Sequence, residues 1–256
     1  MAVWLLTNTV GAVATALNNP LSLALDSGYD RMNVISGPRS QMVRYLASSS
    51  YSVTYSCPST QITHCVVSRM DLFKNTLDAQ DVKLQYNGPS YATDSTTLAG
   101  DLDLVGPTGQ DWVQSFAQTS TQFRVLFSSS ASNRELMVGK VYLSNGFKFN
   151  DEGPALGPTL GRRPGERPDY VQPIYGYEPY AVENDFSLSW QGVTRAKVEA
   201  FQALPLNWPF WIYDDAGDIF EHRAEHVVLA DPFEYQRVGS DYFNITLRFR
   251  RLAHYD

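Results

Sequence analysis

The stretch FSLSWQGVTRAKVEAFQALPLNWPFWIYDDAGD, residues 186–218, carries the strongest indication of the fold class. At its start the residues alternate, with Phe186, Leu188 and Trp190 on one face and serines on the other. A period of two is typical of a strand with one buried face. The stretch therefore opens with a half-buried strand.

The pattern changes after Gly192, where residues 194–204 take the period of a helix with Ala196, Phe201 and Leu204 on its apolar face. Pro205 ends this helix, because proline disfavours the helical conformation of the residue before it. The aromatic run 208–214 then predicts a second strand, and residues 215–218 predict a turn. A short helix between two antiparallel strands is the nucleus of a small α+β or barrel-like domain.

Further strands are predicted on both sides of this nucleus. The clearest is residues 240–252, in which Phe243, Ile245, Leu247 and Phe249 alternate with polar residues. Short strands separated by clusters of Gly, Pro, Ser and Asn indicate an antiparallel sandwich, so the predicted fold class is mainly β. The other predicted strands lie within residues 50–56, 62–73, 81–87, 122–130, 137–149 and 219–238.

A domain boundary is predicted at residues 151–180, where Pro, Gly and Tyr dominate and no periodicity remains. We interpret residues 1–150 as a β-sandwich that carries an irregular apolar arm over residues 1–45. Residues 151–180 are then a linker, and residues 181–256 form a second, smaller domain.

The charge balance and the first residues restrict the partners and the compartment. A net charge of −7 with a pI near 5.1 disfavours nucleic-acid recognition. The apolar start lacks the positive region of a signal peptide, since the first basic residue is Arg31. No segment approaches the run of about 18 apolar residues that a membrane span requires. We expect a protein that is assembled in the cytoplasm and does not span a membrane.

The two cysteines, Cys57 and Cys65, are too few for a disulfide scaffold. We interpret them as semi-buried thiols in neighbouring strands. A disulfide between them, or a metal site that includes His64, stays open as an alternative.

Residues 222–226, His-Arg-Ala-Glu-His, match the inverted zinc-peptidase motif H-x-x-E-H. That chemistry needs both histidines on one helical face, whereas the flanking residues favour a strand. On a strand, His222 and His226 would lie about 13 Å apart, too far to share one metal ion. We interpret them as polar positions on an exposed strand or loop, with a metallopeptidase as the alternative.

No pattern in the chain predicts a catalytic site or a cofactor. The G-x-S-x-G, G-x-x-x-x-G-K-[ST] and G-x-G-x-x-G motifs are absent from the sequence. Paired acids, such as Asp214 with Asp215 and Glu221 with Glu225, are attributed to turn chemistry and exposed positions. The expectation is a protein that is not an enzyme and carries no metal or cofactor.

The series HCVVSRMDLF, DVKLQYN, QFRVLFSSS and ELMVGKVYLSNGFKF, within residues 45–150, resembles the galactose-binding-like, discoidin-type jelly roll. The resemblance implies a jelly-roll β-sandwich for the first domain. It implies little about a ligand, because this fold hosts both sugar binders and inert modules.

The second half resembles a different family. The order of its elements is a strand with Trp190, a short helix, an aromatic strand, an acidic turn and the terminal strand ITLRFRRL. This order is similar to that of distal tail proteins, which belong to the tail tip or baseplate of long non-contractile-tailed bacteriophages. The resemblance implies a structural virion protein and carries over no active-site residue.

For this chain the resemblance implies a ring subunit, trimeric or hexameric, that joins the tail tube to the host-recognition apparatus. The implied partners are the tube, tape-measure and hub proteins, and the implied location is the tail tip of the virion. The aromatic strand could equally be core or subunit contact. Candidate interface residues are the tyrosines of the linker and the aromatics of that strand: Tyr170, Tyr175, Tyr177, Trp208, Trp211 and Tyr213.

A carbohydrate-binding module that attaches to host-surface glycans is the alternative function. Aromatic side chains stack on sugar rings, and the first domain offers Tyr91 and Trp112 for this role.

Overall fold

The computed structural model describes residues 2–13, 16–18, 31–34, 43–48, 50–71, 80–86, 95–102, 112–129, 134–156, 185–215, 224–230 and 233–252. The chain is mainly β, with two sheets and two short α-helices, which confirms the predicted fold class. Its contacts divide into two units. We call Asn8–Gly146 the sandwich unit, and Met1–Thr7 with Phe147–Tyr255 the C-terminal unit. Most of the predicted linker, from residue 157 onward, lies outside the described residues.

The sandwich unit contains one long antiparallel sheet. Its strand order is β3-β8-β4-β7-β5-β6, and β2 pairs with β4. The elements are α1 (Thr9–Val13), β2 (Ala16–Asn18), a 3-10 helix (Arg31–Val34), β3 (Val43–Ser48), β4 (Ser50–Asp71), β5 (Gln80–Tyr86), β6 (Ser95–Leu102), β7 (Trp112–Ser129) and β8 (Arg134–Ser144).

Strand β4 is continuous over 22 residues, so the prediction of two separate strands here is wrong. The residues Cys57-Pro58-Ser59-Thr60, which lie between the two predicted strands, are at a register shift between Ser56 and Thr60. Proline is tolerated at a bulge because a bulged residue need not donate to the ladder. A second shift lies between Ile62 and His64.

The two halves of β4 have different neighbours. Residues 50–56 pair with β7, whereas residues 64–71 also pair with β8. The Tyr55 hydroxyl in the first half donates a hydrogen bond of 2.8 Å to the carbonyl of Val141 in β8. Tyr55 and Val141 also belong to one buried hydrophobic cluster. The part of the sheet around residues 50–56 therefore faces the part that contains β8 across the core.

The C-terminal unit is an antiparallel sheet with one short helix packed on it, as predicted. Its order is β1-β11-β12-β14-β10-β9, and β13 pairs with β14. The elements are β1 (Val3–Leu6), β9 (Ala155–Leu156), β10 (Asp185–Thr194), α2 (Arg195–Gln202), β11 (Phe210–Asp214), β12 (Ala224–Leu229), β13 (Glu234–Arg237) and β14 (Tyr242–Arg251).

The predicted faces of strands β10 and β14 agree with the observed ones, whereas on the helix Ala196, predicted to be on the apolar face, is exposed and Val198 is buried instead. Phe186, Leu188 and Trp190 of β10 are buried, and so are the four alternating apolar residues of β14. Helix α2 follows Thr194 directly and packs its buried residues, Val198 and Phe201, into the same cluster. The ring of Trp190 lies 4.7 Å from that of Phe149, between ring centroids.

The first residues pack differently from the predicted irregular arm. Val3–Leu6 form strand β1, which pairs with β11 from Val3↔Asp214 to Leu6↔Trp211. Leu5 also exchanges backbone hydrogen bonds of 2.7 and 3.0 Å with Phe147. An apolar segment of this kind adds a strand to a sheet because both its backbone and its side chains then find partners.

Candidate functional site

The predicted interface aromatics of the C-terminal unit fall into two environments. Trp208 follows α2 and is 59% exposed, whereas Trp211 is fully buried and Tyr213 is 9% exposed in β11. All five residues of β11 are buried. Of the two roles left open for this strand, packing inside the unit accounts for Trp211 and Tyr213.

The remaining predicted site residues lie largely outside the described ranges. These are Tyr91 for sugar binding and Tyr170, Tyr175 and Tyr177 for an interface. Trp112 begins β7, where its backbone pairs with Val67.

His226 lies in strand β12 and not in a helix, as its flanking residues predict. It is 1% exposed, so the predicted exposed position is wrong, and its ring stacks on Trp211 with centroids 4.0 Å apart. His222 lies outside the described residues. Within the described ranges, no group of three or more His, Cys, Asp or Glu side chains is arranged to hold a metal ion.

Cys57 and Cys65 are free and buried. Both lie in β4, so the prediction of neighbouring strands is wrong, and no disulfide joins them. Burial raises the pKa of the Cys65 thiol. Burial also raises the pKa of Cys57, and a hydrogen bond with Thr60 opposes that rise. Two protonated, buried thiols are poor metal ligands and poor nucleophiles.

Two of the acidic residues that the sequence assigns to turns and exposed positions are buried in strands. Asp214 ends β11 and is fully buried, and Glu225 in β12 is 5% exposed. The Arg251 Nε atom lies 3.4 Å from a Glu225 carboxylate oxygen, and its guanidinium lies 4.9 Å from the centre of the Phe186 ring. The positive charge of Arg251 neutralises the buried Glu225 carboxylate. We therefore attribute this ion pair to a structural role.

A second polar arrangement lies inside the sandwich unit. Lys140 in β8 is 1% exposed, faces Ser68 of β4 across the strand pair, and donates a hydrogen bond to the carbonyl of Asn33. Burial lowers the pKa of Lys140 to about 7. On the same sheet face lie His64 and Tyr142, also buried. We call Lys140, Ser68, His64 and Tyr142 the buried row. It is closed to solvent, so a substrate has no access to it in this conformation.

The exposed apolar residues of the C-terminal unit cluster on one hairpin. Tyr235 of β13, Val238 of the turn and Tyr242 of β14 are 53%, 53% and 52% exposed. We call these three side chains the hairpin surface. By the register of β13 with β14, Tyr235 lies on the same face as Phe243 and Ile245, and Val238 and Tyr242 lie on the opposite face. Among the described residues, Trp208 is the remaining large apolar side chain with comparable exposure.

The hairpin is held by local contacts. The ring of Tyr235 stacks on Phe233 at 5.6 Å and meets Phe243 edge-on at 5.7 Å. In the turn, Arg237 Nε donates to the Gly239 carbonyl at 2.8 Å, and Nη2 donates to the Ser240 carbonyl at 3.0 Å. Because these contacts already fix the hairpin, little conformational entropy is lost when a partner binds its apolar side chains.

Strand β13 is also an edge strand. Within the described residues it pairs only with β14, through Glu234↔Thr246 to Arg237↔Phe243, and all four of its side chains are exposed. An edge strand with exposed backbone groups is a template for pairing with another chain.

Neither the hairpin surface nor the buried row is predicted from the sequence. The sequence pattern of residues 219–238 does not separate β12 from β13, so it does not predict the edge position that β13 has among the described residues. Lys140 stands in the run Met-Val-Gly-Lys-Val-Tyr-Leu. A lysine amid six uncharged residues of a predicted core strand is the signal that could have found the buried row.

No family model matches this sequence, and no curated protein matches it. Among solved structures, a fucose-binding module from Streptococcus pneumoniae is similar, with 14% identity and a TM-score of 0.40 over 54% of this chain and 96% of that one. A pectin-binding carbohydrate-binding module has 14% identity and a TM-score of 0.35 over 51% and 89%. A chitosan-binding module from Paenibacillus sp. IK-5 has 10% identity and a TM-score of 0.38 over 54% and 98%. At these values the likeness says nothing about the ligand of this chain.

None of the described helices is long and apolar enough to cross a membrane.

Proposed function

We propose that this chain is a non-catalytic assembly subunit of a bacteriophage tail tip or baseplate, where it self-associates and contacts neighbouring tail proteins. The observation that carries the self-association is the hairpin surface. Three of the four large apolar side chains that are exposed in the described ranges lie on one hairpin, whose strand β13 has no second strand partner within those ranges. Exposed apolar side chains on both faces of a hairpin, next to a strand edge, favour a protein partner.

The tail-tip setting rests on the resemblance of residues 181–256 to distal tail proteins. In that setting the subunit would form or line a ring, trimeric or hexameric, between the tail tube and the host-recognition apparatus. An assembly role is compatible with the buried, neutralised or inaccessible ionisable groups described above, because it requires no accessible nucleophile or proton donor.

Light scattering and negative-stain electron microscopy of the purified full chain test the self-association. The expected result is a discrete oligomer with rotational symmetry. Immunogold labelling of virions of the encoding phage tests the setting, with label expected at the tail tip. A monomer at all concentrations contradicts the first part of the proposal, and unlabelled virions contradict the second.

Glycan binding by the sandwich unit is the second candidate. It rests on the resemblance of residues 45–150 to the discoidin-type jelly roll and on Tyr91 and Trp112, two aromatic residues that could stack on a sugar. A glycan array with the full chain tests it. Tyr91→Ala and Trp112→Ala are expected to abolish a signal that Trp208→Ala, in the other unit, leaves unchanged.

A further inference from the structure

We propose that β13 pairs antiparallel with β13 of a second copy of this chain, across a two-fold axis at Tyr235 or Gln236. This pairing rests on the self-association proposed above and names its contact. The backbone directions, the side-chain faces and the charges of the strand allow it to pair with itself in two registers, and this self-complementarity is the reason for choosing a second copy as the occupant.

The backbone of β13 offers hydrogen-bonding groups at alternate residues. The Val238 amide donates to the Tyr242 carbonyl at 3.0 Å, which makes this a hydrogen-bonded pair of the hairpin. Such pairs alternate along an antiparallel ladder, so Gln236 and Glu234 also direct their backbone groups towards β14. The N–H and C=O groups of Tyr235 and Arg237 therefore point to the outer edge.

The side-chain faces limit the registers in which two copies can pair. In a continued sheet, directly opposed residues point to the same side, so odd-numbered residues of one copy face odd-numbered residues of the other. A two-fold axis must therefore pass through a residue position and not between two. Four centres are available within β13: Glu234, Tyr235, Gln236 and Arg237.

The charges of β13 reduce these four centres to two. An axis at Glu234 would oppose two carboxylates, and an axis at Arg237 would oppose two guanidinium groups, both of which are destabilising. An axis at Tyr235 instead places each Glu234 opposite Gln236 of the second copy. An axis at Gln236 places each Tyr235 opposite Arg237, a favourable cation–π pair.

The symmetry of the contact restricts the size of the assembly. A contact between identical surfaces makes a dimer, and it cannot close a trimer by itself. A larger assembly in which every subunit makes this contact has an even number of subunits. A two-fold contact also gives an assembly two equivalent faces, whereas a ring between a tail tube and a host-recognition apparatus has two different faces. The pairing is therefore a contact of the free subunit or between two rings, and it does not lie within one such ring.

Sedimentation equilibrium of the full chain and its Gln236 variants tests the contact. The Gln236 side chain is exposed, so its substitution leaves the core intact. Gln236→Glu places two carboxylates opposite each other in either register, and dimerisation is expected to weaken roughly tenfold. Gln202→Glu, the same change at an exposed position of α2, is the matched control and is expected to leave the dimer unchanged.

Gln236→Lys distinguishes the two registers. It strengthens the dimer if the axis lies at Tyr235, because the new ammonium group then faces Glu234 of the second copy. It weakens the dimer if the axis lies at Gln236, because two ammonium groups then face each other. A trimer, or a dimer that responds equally to the Gln236 and Gln202 variants, overturns the strand pairing while leaving self-association intact. A monomer in every variant overturns both.

Discussion

Strands β4 and β8 of the sandwich unit and strand β14 of the C-terminal unit each turn one face to an apolar cluster, but they differ on the other face. In β4 and β8 that second face is buried and carries His64, Ser68 and Lys140. In β14 it carries Thr246 and Arg248, which are exposed. The same alternation of apolar and polar residues therefore leads to a buried polar row in one unit and to a solvated face in the other.

The difference has consequences for stability and for binding. A buried ionisable row costs desolvation free energy and makes stability depend on pH. A solvated face leaves the neighbouring edge strand and its aromatic residues accessible to a partner.

The largest effect is expected for a buried aromatic of the C-terminal unit. Trp211→Ala removes a fully buried indole that stacks on His226 and should lower the free energy of unfolding by about 3–5 kcal/mol. Trp208→Ala removes an exposed indole and is the matched control, with an expected change below about 0.5 kcal/mol. Urea unfolding measures both, and equal losses would contradict the assigned environments.

The next effect concerns the buried lysine of the sandwich unit. The pKa of Lys140 is lowered to about 7 in the folded chain, whereas an unfolded lysine titrates near 10.5. Between these values the unfolded state binds a proton that the folded state has released, so stability rises with pH, by at most about 1.4 kcal/mol per pH unit. Below pH 7 both states are protonated, and this contribution is constant.

Lys140→Met removes this pH dependence. Urea unfolding of the wild type and the variant from pH 6 to pH 10 gives their difference in stability at each pH, and that difference is the contribution of Lys140. The comparison cancels the opposing effect of Cys65, whose raised pKa favours the unfolded state at high pH. Lys140→Arg is the control, because it keeps a charge that cannot be released in this range. A wild-type curve parallel to that of Lys140→Met would show that Lys140 is solvated.

A smaller effect is expected at the irregularity of β10. Gly192 has a φ of +63°, and nothing lies within 4 Å of the position that a Cβ atom would take, so its replacement is opposed by backbone strain and not by a clash. Gly192→Ala should cost about 1–2 kcal/mol, and Gly192→Asn less. Gly239→Ala, at a glycine outside the left-handed region, should cost less than either. Thermal unfolding ranks the three, and a different order would contradict strain as the cause.

The smallest effect is expected at the exposed pair Lys148 and Asp151. The Lys148 ammonium lowers the pKa of the Asp151 carboxyl through a hydrogen bond and its charge. Lys148→Gln should raise that pKa towards its ordinary value in a carboxyl-detected NMR titration. Asp151→Asn should leave the unfolding midpoint unchanged, because exposed ion pairs contribute little. A clear loss of stability would mean that the pair is shielded from solvent.

Much of the C-terminal unit could be predicted from its sequence. The alternation in β10 and β14, and the change of period at α2, reflect one apolar face that must be buried. Strand β4 could not be predicted as one element, because Pro58 is a strong turn signal and its accommodation at a bulge depends on neighbouring strands. Strand β1 could not be predicted for a similar reason: its partner, β11, lies about two hundred residues away in sequence.

The mainly-β class, the apolar faces of β10 and β14 and the place of the short helix follow from the sequence, because they depend on local periodicity and on proline geometry. The folded structure was needed to show which tryptophan is core and which is surface, that Lys140 is buried, and that β13 lies at an edge of the sheet formed by the described residues. Those properties depend on what covers a side chain or lies beside a strand, and that is set by residues distant in the chain.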